Sequence, residues 1–107
     1  MTDTKSIVHV LGLQSKYGGN IISALRKLAH ELAKKGVKVS FVFPKAASDK
    51  NWCKKLEDEF DVYFITAKQF SLKTINELRE IFARVKPSII HTHHDYLDIP
   101  ATLAAPK

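Results

Sequence analysis

The stretch "SIVHVLGLQSKYGGNIISALRKLAHELAKKGVKVSFVF", residues 6–43, decides the fold. It opens with β-rich, nearly unbroken apolar residues over 6–12, the pattern of a strand buried on both faces. Two adjacent glycines follow, in a chain that has only four. Beyond them Ile21, Ile22, Leu25, Leu28, Ala29 and Leu32 recur at helical spacing, while Ser23, Arg26, Lys27, His30, Glu31 and Lys34 fall mostly on the other face. Asn20 fits the N-cap of this helix and Gly36 its C′ position. "VKVSFVF" then reads as a second strand, ended by Pro44. A strand, a turn, an amphipathic helix and a second strand make a βαβ unit.

The rest of the chain repeats the unit. Asp49 is expected to cap a short helix, "KNWCKKLEDEF", with Trp52, Leu56 and Phe60 turned inward. "DVYFI" (61–65) is a third strand. Ser71 is expected to cap a long helix carrying Leu72, Ile75, Leu78, Phe82 and Val85 on one face and stopped by Pro87. "SIIHTH" (88–93) is a fourth strand, and "LDIPATLAAPK" starts like a further helix. Alternating strands and helices imply right-handed crossovers and a parallel sheet covered on both faces. The expectation is an α/β, Rossmann-like, doubly wound three-layer domain over residues 1–107, with strand order 3-2-1-4.

Composition narrows the function classes. The chain has 107 residues and a formal net charge of +6, from 17 Lys and Arg against 11 Asp and Glu. Its lysines are spread along the whole chain, with no aromatic-interleaved basic stripe, so a solvated surface is favoured over nucleic-acid binding. No apolar run approaches the roughly 20 residues of a membrane span. "MTDTKS" leads straight into the first strand and does not read as a signal peptide. The single cysteine, Cys53, excludes an internal disulfide framework, fits a reducing compartment and reads as a packing residue. A cytoplasmic location is expected.

Ligands of doubly wound sheets bind beyond the carboxyl ends of the strands, where strand order reverses. With order 3-2-1-4, the first and fourth strands are neighbours there. "YGGN", with Tyr17, Gly18, Gly19 and Asn20, leaves one of them; "HTHHD" leaves the other. Glycine permits positive φ and close backbone approach, and the next helix offers unpaired N–H groups to a phosphate or carboxylate. A plain tight turn explains the glycine pair as well. His91 reads either as a buried, hydrogen-bonded strand residue or as part of the polar edge. His93, His94 and Asp95, nearer the carboxyl end, are candidates to touch a polar ligand. A metal at His91 and His93 would need at least one more ligand, which His94 or Asp95 could supply, but no second ligand cluster appears and no metal is expected. His9 and His30 read as structural or surface residues, and the acidic run "EDEFD" (57–61) as a solvated helix end.

Together "LGLQSKYGGNIISALRKLAHELAKKGVKVSFV" and "VKPSIIHTHHDYLDIPATLAA" resemble the amino-terminal half of family 4-type glycosyltransferases with the GT-B fold. The match runs over essentially all of residues 6–105. The resemblance implies retaining, metal-independent transfer of a hexosyl group from a nucleotide-sugar to a glycan or lipid-linked acceptor. It also implies that this half holds the acceptor, that Gly18 and Gly19 lie near the donor phosphates, and that His91 and His93 occupy the family's H-x-H. No cofactor is implied beyond the nucleotide-sugar, which is a substrate. Cell-envelope polysaccharide or glycolipid assembly is the family's common setting, and peripheral contact with an anionic membrane would suit the basic surface.

Three departures accompany the resemblance. Ile21 stands where many members carry a glutamate, and Ser88 replaces the aspartate of the usual P-D-I-I-H. The family's E-x7-E pair and a further cleft histidine have no counterpart in these residues. The expectation is an incomplete half of a two-domain enzyme, inactive alone, needing a carboxyl-terminal donor domain or a partner chain. An exposed strand edge would then favour self-association. Two alternatives are a non-catalytic binding module for a phosphorylated small molecule and one subunit of a split glycosyltransferase.

Overall fold

A computed structural model of the protein describes residues 5–12, 19–66, 72–92, 102 and 104–105. Its strands are β1 (Ser6–Val10), β2 (Lys38–Pro44), β3 (Asp61–Ile65) and β4 (Ile89–Thr92). Its helices are α1 (Gly19–Lys34), α2 (Asn51–Glu59) and α3 (Leu72–Val85). The strands form one parallel sheet in the order β3-β2-β1-β4, the architecture expected of an α/β Rossmann-like domain.

Register follows from which residues must be buried. Val8 pairs with Ser40 and Ile90, Val10 with Val42 and Thr92. Neighbours in register share a sheet face, so these side chains look toward α3. There Val8, Val10, Val42 and Ile65 meet Ile75, Leu78 and Phe82, and Ala104 joins them. The alternate residues look the other way. Val39, Phe41 and Phe43 meet Ile22, Leu25 and Ala29 of α1 and Cys53 and Leu56 of α2.

This second face is aromatic where the first is aliphatic. Phe41 is fully buried, with the rings of His9, Phe43 and Phe60 centred 5.4, 6.0 and 5.8 Å away. Trp52 meets Phe43 edge-on at 5.1 Å. Burial of a large apolar side chain contributes roughly 1.5–3 kcal/mol, and aromatic pairs in such geometries add roughly 0.5–1.5 kcal/mol. The turned-in positions expected on α2 are therefore correct, and Cys53 is a buried packing residue. Burial, and secondarily the charge of Glu57, pushes its thiol up to about 11.

Helix ends explain the boundaries. Gly36 has φ +81; its N–H donates to Ala33 O at 3.1 Å and the Val37 N–H to Leu32 O at 3.0 Å. That is a Schellman cap with glycine at C′. α1 already includes Gly19, so Asn20 lies within the first turn rather than at the capping position. Lys50, not Asp49, precedes α2, and it makes no side-chain capping bond. Asp49 instead lies 3.3 Å from Lys50 Nζ. A 3-10 turn at Lys45–Ala47, unmarked in the sequence, fills the space after Pro44. The cap expected at Ser71 lies outside the described residues.

α3 stops at Val85, and Lys86 takes φ +53 before Pro87. The reversal is tied to β1: Ser6 Oγ donates to Lys86 O at 3.2 Å, and the Ser6 N–H donates to Ser88 Oγ at 3.2 Å. Ser88 thus supplies the acceptor oxygen at a position where the resembling family has aspartate.

Candidate functional site

The sheet brings the carboxyl ends of β1 and β4 side by side, with His9 opposite His91 and Val10 opposite Thr92. The sequence candidates beyond these ends are Tyr17, Gly18, Gly19 and Asn20 after β1 and His93, His94 and Asp95 after β4. Of them Gly19 and Asn20 are described; Tyr17, Gly18, His93, His94 and Asp95 lie outside the described residues.

Gly19 opens α1 with φ +68, and a Cβ there would meet nothing within 4 Å. Glycine is required at this point by backbone conformation rather than by crowding, because an L side chain at such φ is strained. The tight-turn reading of this glycine is thus sufficient for its identity. Asn20 is exposed, and no acidic residue occupies the first turn of α1. An acidic side chain there would compete with an anion for the N–H groups and the positive end of the helix dipole.

His91 is exposed rather than buried, contrary to one of the two readings of the sequence. β4 flanks β1 alone among the described strands, so packing covers less of it. His91 leans on His9 with ring centres 5.3 Å apart, and His9, 3% exposed, stacks on Phe41. His9 is structural. Its ring continues the aromatic row of β2 across β1 to the edge of the candidate site.

A residue that sequence reasoning missed lies at the same carboxyl edge. Glu77, from the first half of α3, accepts the Thr66 N–H at 3.0 Å and the Thr66 hydroxyl at 3.2 Å. This carboxylate fixes the chain as it leaves β3. Its place on the helix, between the buried Thr74 and Leu78, marks an inward-facing polar position that periodicity alone hides.

The acidic run 57–61 is corrected in one respect. Glu57, Asp58 and Asp61 are exposed, but Glu59 accepts Arg26 Nε with both oxygens, at 2.8 and 2.7 Å, and lies 2.9 Å from His30 Nε2. His30 also rests on Phe60, ring centres 5.0 Å apart. The Arg26 and His30 hydrogen bonds hold the Glu59 carboxyl down to about 2. This residue clamps α1 to the end of α2. An open groove of about 370 Å³ lies nearby, lined by Ala33, Val37, Lys38, Glu57, Phe60 and Asp61. It is at the amino ends of β2 and β3, away from the candidate site, and Lys38 and Asp61 pair across it at 3.1 Å.

Among the described residues, no group of three or more His, Cys, Asp or Glu is placed to hold a metal ion. None of the described helices is long and apolar enough to cross a membrane. No protein-family model and no curated protein matches the sequence. Among solved structures, MurG of Acinetobacter baumannii matches 94% of this chain with a TM-score of 0.67 at 20% sequence identity. The match covers 30% of the MurG chain, so this chain spans about a third of that protein's length. The chain shares its α/β Rossmann-like fold with part of the MurG chain.

Proposed function

We propose that the chain is the amino-terminal, acceptor-side part of a GT-B glycosyltransferase of family 4 type. The full enzyme would move a hexosyl group from a nucleotide-sugar to a glycan or lipid-linked acceptor, in the cytoplasm or at the inner face of the membrane. The observation that carries this reading is the fold match to MurG over 94% of the chain. The order and spacing of "YGGN" and "HTHHD" in the sequence support the same reading.

In this reading the amino end of α1 faces the cleft between the two domains. The N–H groups after Gly18 and Gly19 stabilise the diphosphate as it departs, through hydrogen bonds already in place before reaction. In this reading Tyr17, His93, His94 and Asp95 are the side chains that meet the acceptor. Catalysis then rests mainly on positioning two substrates against each other. Glu77 supports the opening from β3 by fixing Thr66.

The test is release of nucleoside diphosphate by the full-length polypeptide, offered a panel of nucleotide-sugars with glycan and lipid-linked acceptors. Gly19→Asp places a carboxylate at the amino end of α1 and is expected to lower kcat/KM by about 100-fold or more. Gly19→Ala carries the same backbone strain without the charge, so the difference between the two variants reads the effect of the carboxylate alone. Turnover of no nucleotide-sugar in the panel, or equal activity of Gly19→Asp and the parent, counts against the reading.

A further inference from the structure

The outer edge of β3 is undefended. β3 pairs with β2 on one side and, among the described strands, has no neighbour on the other. Such an edge leaves a row of N–H and C=O groups open, and soluble proteins blunt it with lysine, proline or a bulge. The strand "DVYFI" (61–65) contains no lysine, proline or glycine, and its register with β2 runs without a bulge. Its one charge, Asp61, is drawn inward to Lys38 of β2 at 3.1 Å. Val62, Tyr63 and Phe64, all types that favour strands, are half-buried on it.

A notch of about 200 Å³ lies between this edge and α3, lined by Tyr63, Phe64, Glu80, Ile81 and Arg84. Tyr63 is in register with Val42, so it looks to the α3 side, where it and Ile81 pack against the same core. Glu80 and Arg84 are exposed on the helix beside the notch. Their spacing suits an ion pair within one helix. Even so, neither bonds the other or any other described residue.

A second copy of the chain uses all of these features. A two-fold axis perpendicular to the sheet, beside Tyr63, pairs β3 with β3 of the second copy in antiparallel fashion. The same axis brings the two α3 helices alongside each other, running in opposite directions. Glu80 then faces Arg84 of the second copy, and Arg84 faces its Glu80. An unrelated extended peptide would satisfy the strand but leave both charges unpaired. We infer that the outer edge of β3, with Glu80 and Arg84 beside it, is a two-fold interface through which two copies form one continuous sheet. The net charge of +6 on each copy opposes association. Salt at physiological strength screens exposed charges beyond about 8 Å, so the pairs at the edge decide. This edge is on the far side of the sheet from β4, and the inference does not depend on the proposed transfer activity.

The test is sedimentation equilibrium of the full-length polypeptide, of Arg84→Glu, of Glu80→Arg, and of an equimolar mixture of those two variants. The parent is expected to dimerise reversibly with a Kd on the order of 100 µM or tighter, as small interfaces do. Each variant alone brings like charges together at two places and is expected to weaken the dimer at least about tenfold. The mixture restores opposite charges at both places and is expected to associate within about threefold of the parent. A parent that stays monomeric at on the order of 500 µM overturns the inference, whether solvent or another strand occupies the edge. A dimer indifferent to both variants places association elsewhere, β4 included, and overturns it too. Loss in both variants without recovery in the mixture also overturns it.

Discussion

β1 has two neighbours, and the two flanks are built differently. Toward β2 and β3, Phe41, Phe43, Cys53 and Leu56 are fully buried beneath α1 and α2. Toward β4, Ile89 and His91 are exposed on the same sheet face. The first flank is held by its own side chains. The second holds the convergence of strand ends that carries the candidate site, and it is open to further structure.

The largest test of this contrast is Phe41→Ala. Removing a buried ring that touches three others is expected to cost about 3–5 kcal/mol, read as a lowered denaturation midpoint. A cost below about 1 kcal/mol would mean the packed flank is not the core. Ser40→Ala sharpens the picture on the other sheet face. The Ser40 hydroxyl is buried with no hydrogen-bond partner among the described residues, and an unsatisfied buried group costs about 1–3 kcal/mol. Alanine there is expected to leave stability unchanged or raise it by about 1 kcal/mol. A marked loss on chemical denaturation would show that the hydroxyl is satisfied. Ile89→Thr, on the open flank, is expected to change the stability of residues 1–107 by less than about 0.5 kcal/mol.

The smallest effect is electrostatic. The Glu59 carboxyl titrates at about 2 in the folded protein against an ordinary value of 4.5. A depressed carboxylate contributes stability above its unfolded value and loses it as pH falls through the folded one. Stability should therefore fall as pH drops from about 4.5 toward 2, and Glu59→Gln should flatten that part of the curve. An unchanged acid limb in Glu59→Gln would remove the clamp from the account.

Strand order was legible in the sequence because apolar runs and amphipathic helices alternate, and a parallel sheet admits few arrangements of them. Gly36 was legible as a cap because the apolar period stops just before it. Asp49 was not a cap, since Lys50 occupies the place before α2. Glu59 looks solvated in the sequence because its partners, Arg26 and His30, lie 33 and 29 residues away on another helix. Glu77 was invisible for the same reason: its partner Thr66 lies just past β3, 11 residues earlier. His91 was legible as a strand residue, but its exposure depends on what lies beside β4. Gly19 was legible as a glycine at a turn, and its φ of +68 gives the physical reason.

The most direct test of the central claim is amide chemical-shift mapping of the isotope-labelled protein titrated with a nucleoside diphosphate. Shifts concentrated at Gly19 and Asn20, at the amino end of α1, are the predicted result. Shifts scattered over the surface lysines, with Gly19 and Asn20 unmoved at saturation, would contradict a phosphate site at the carboxyl edge of the sheet.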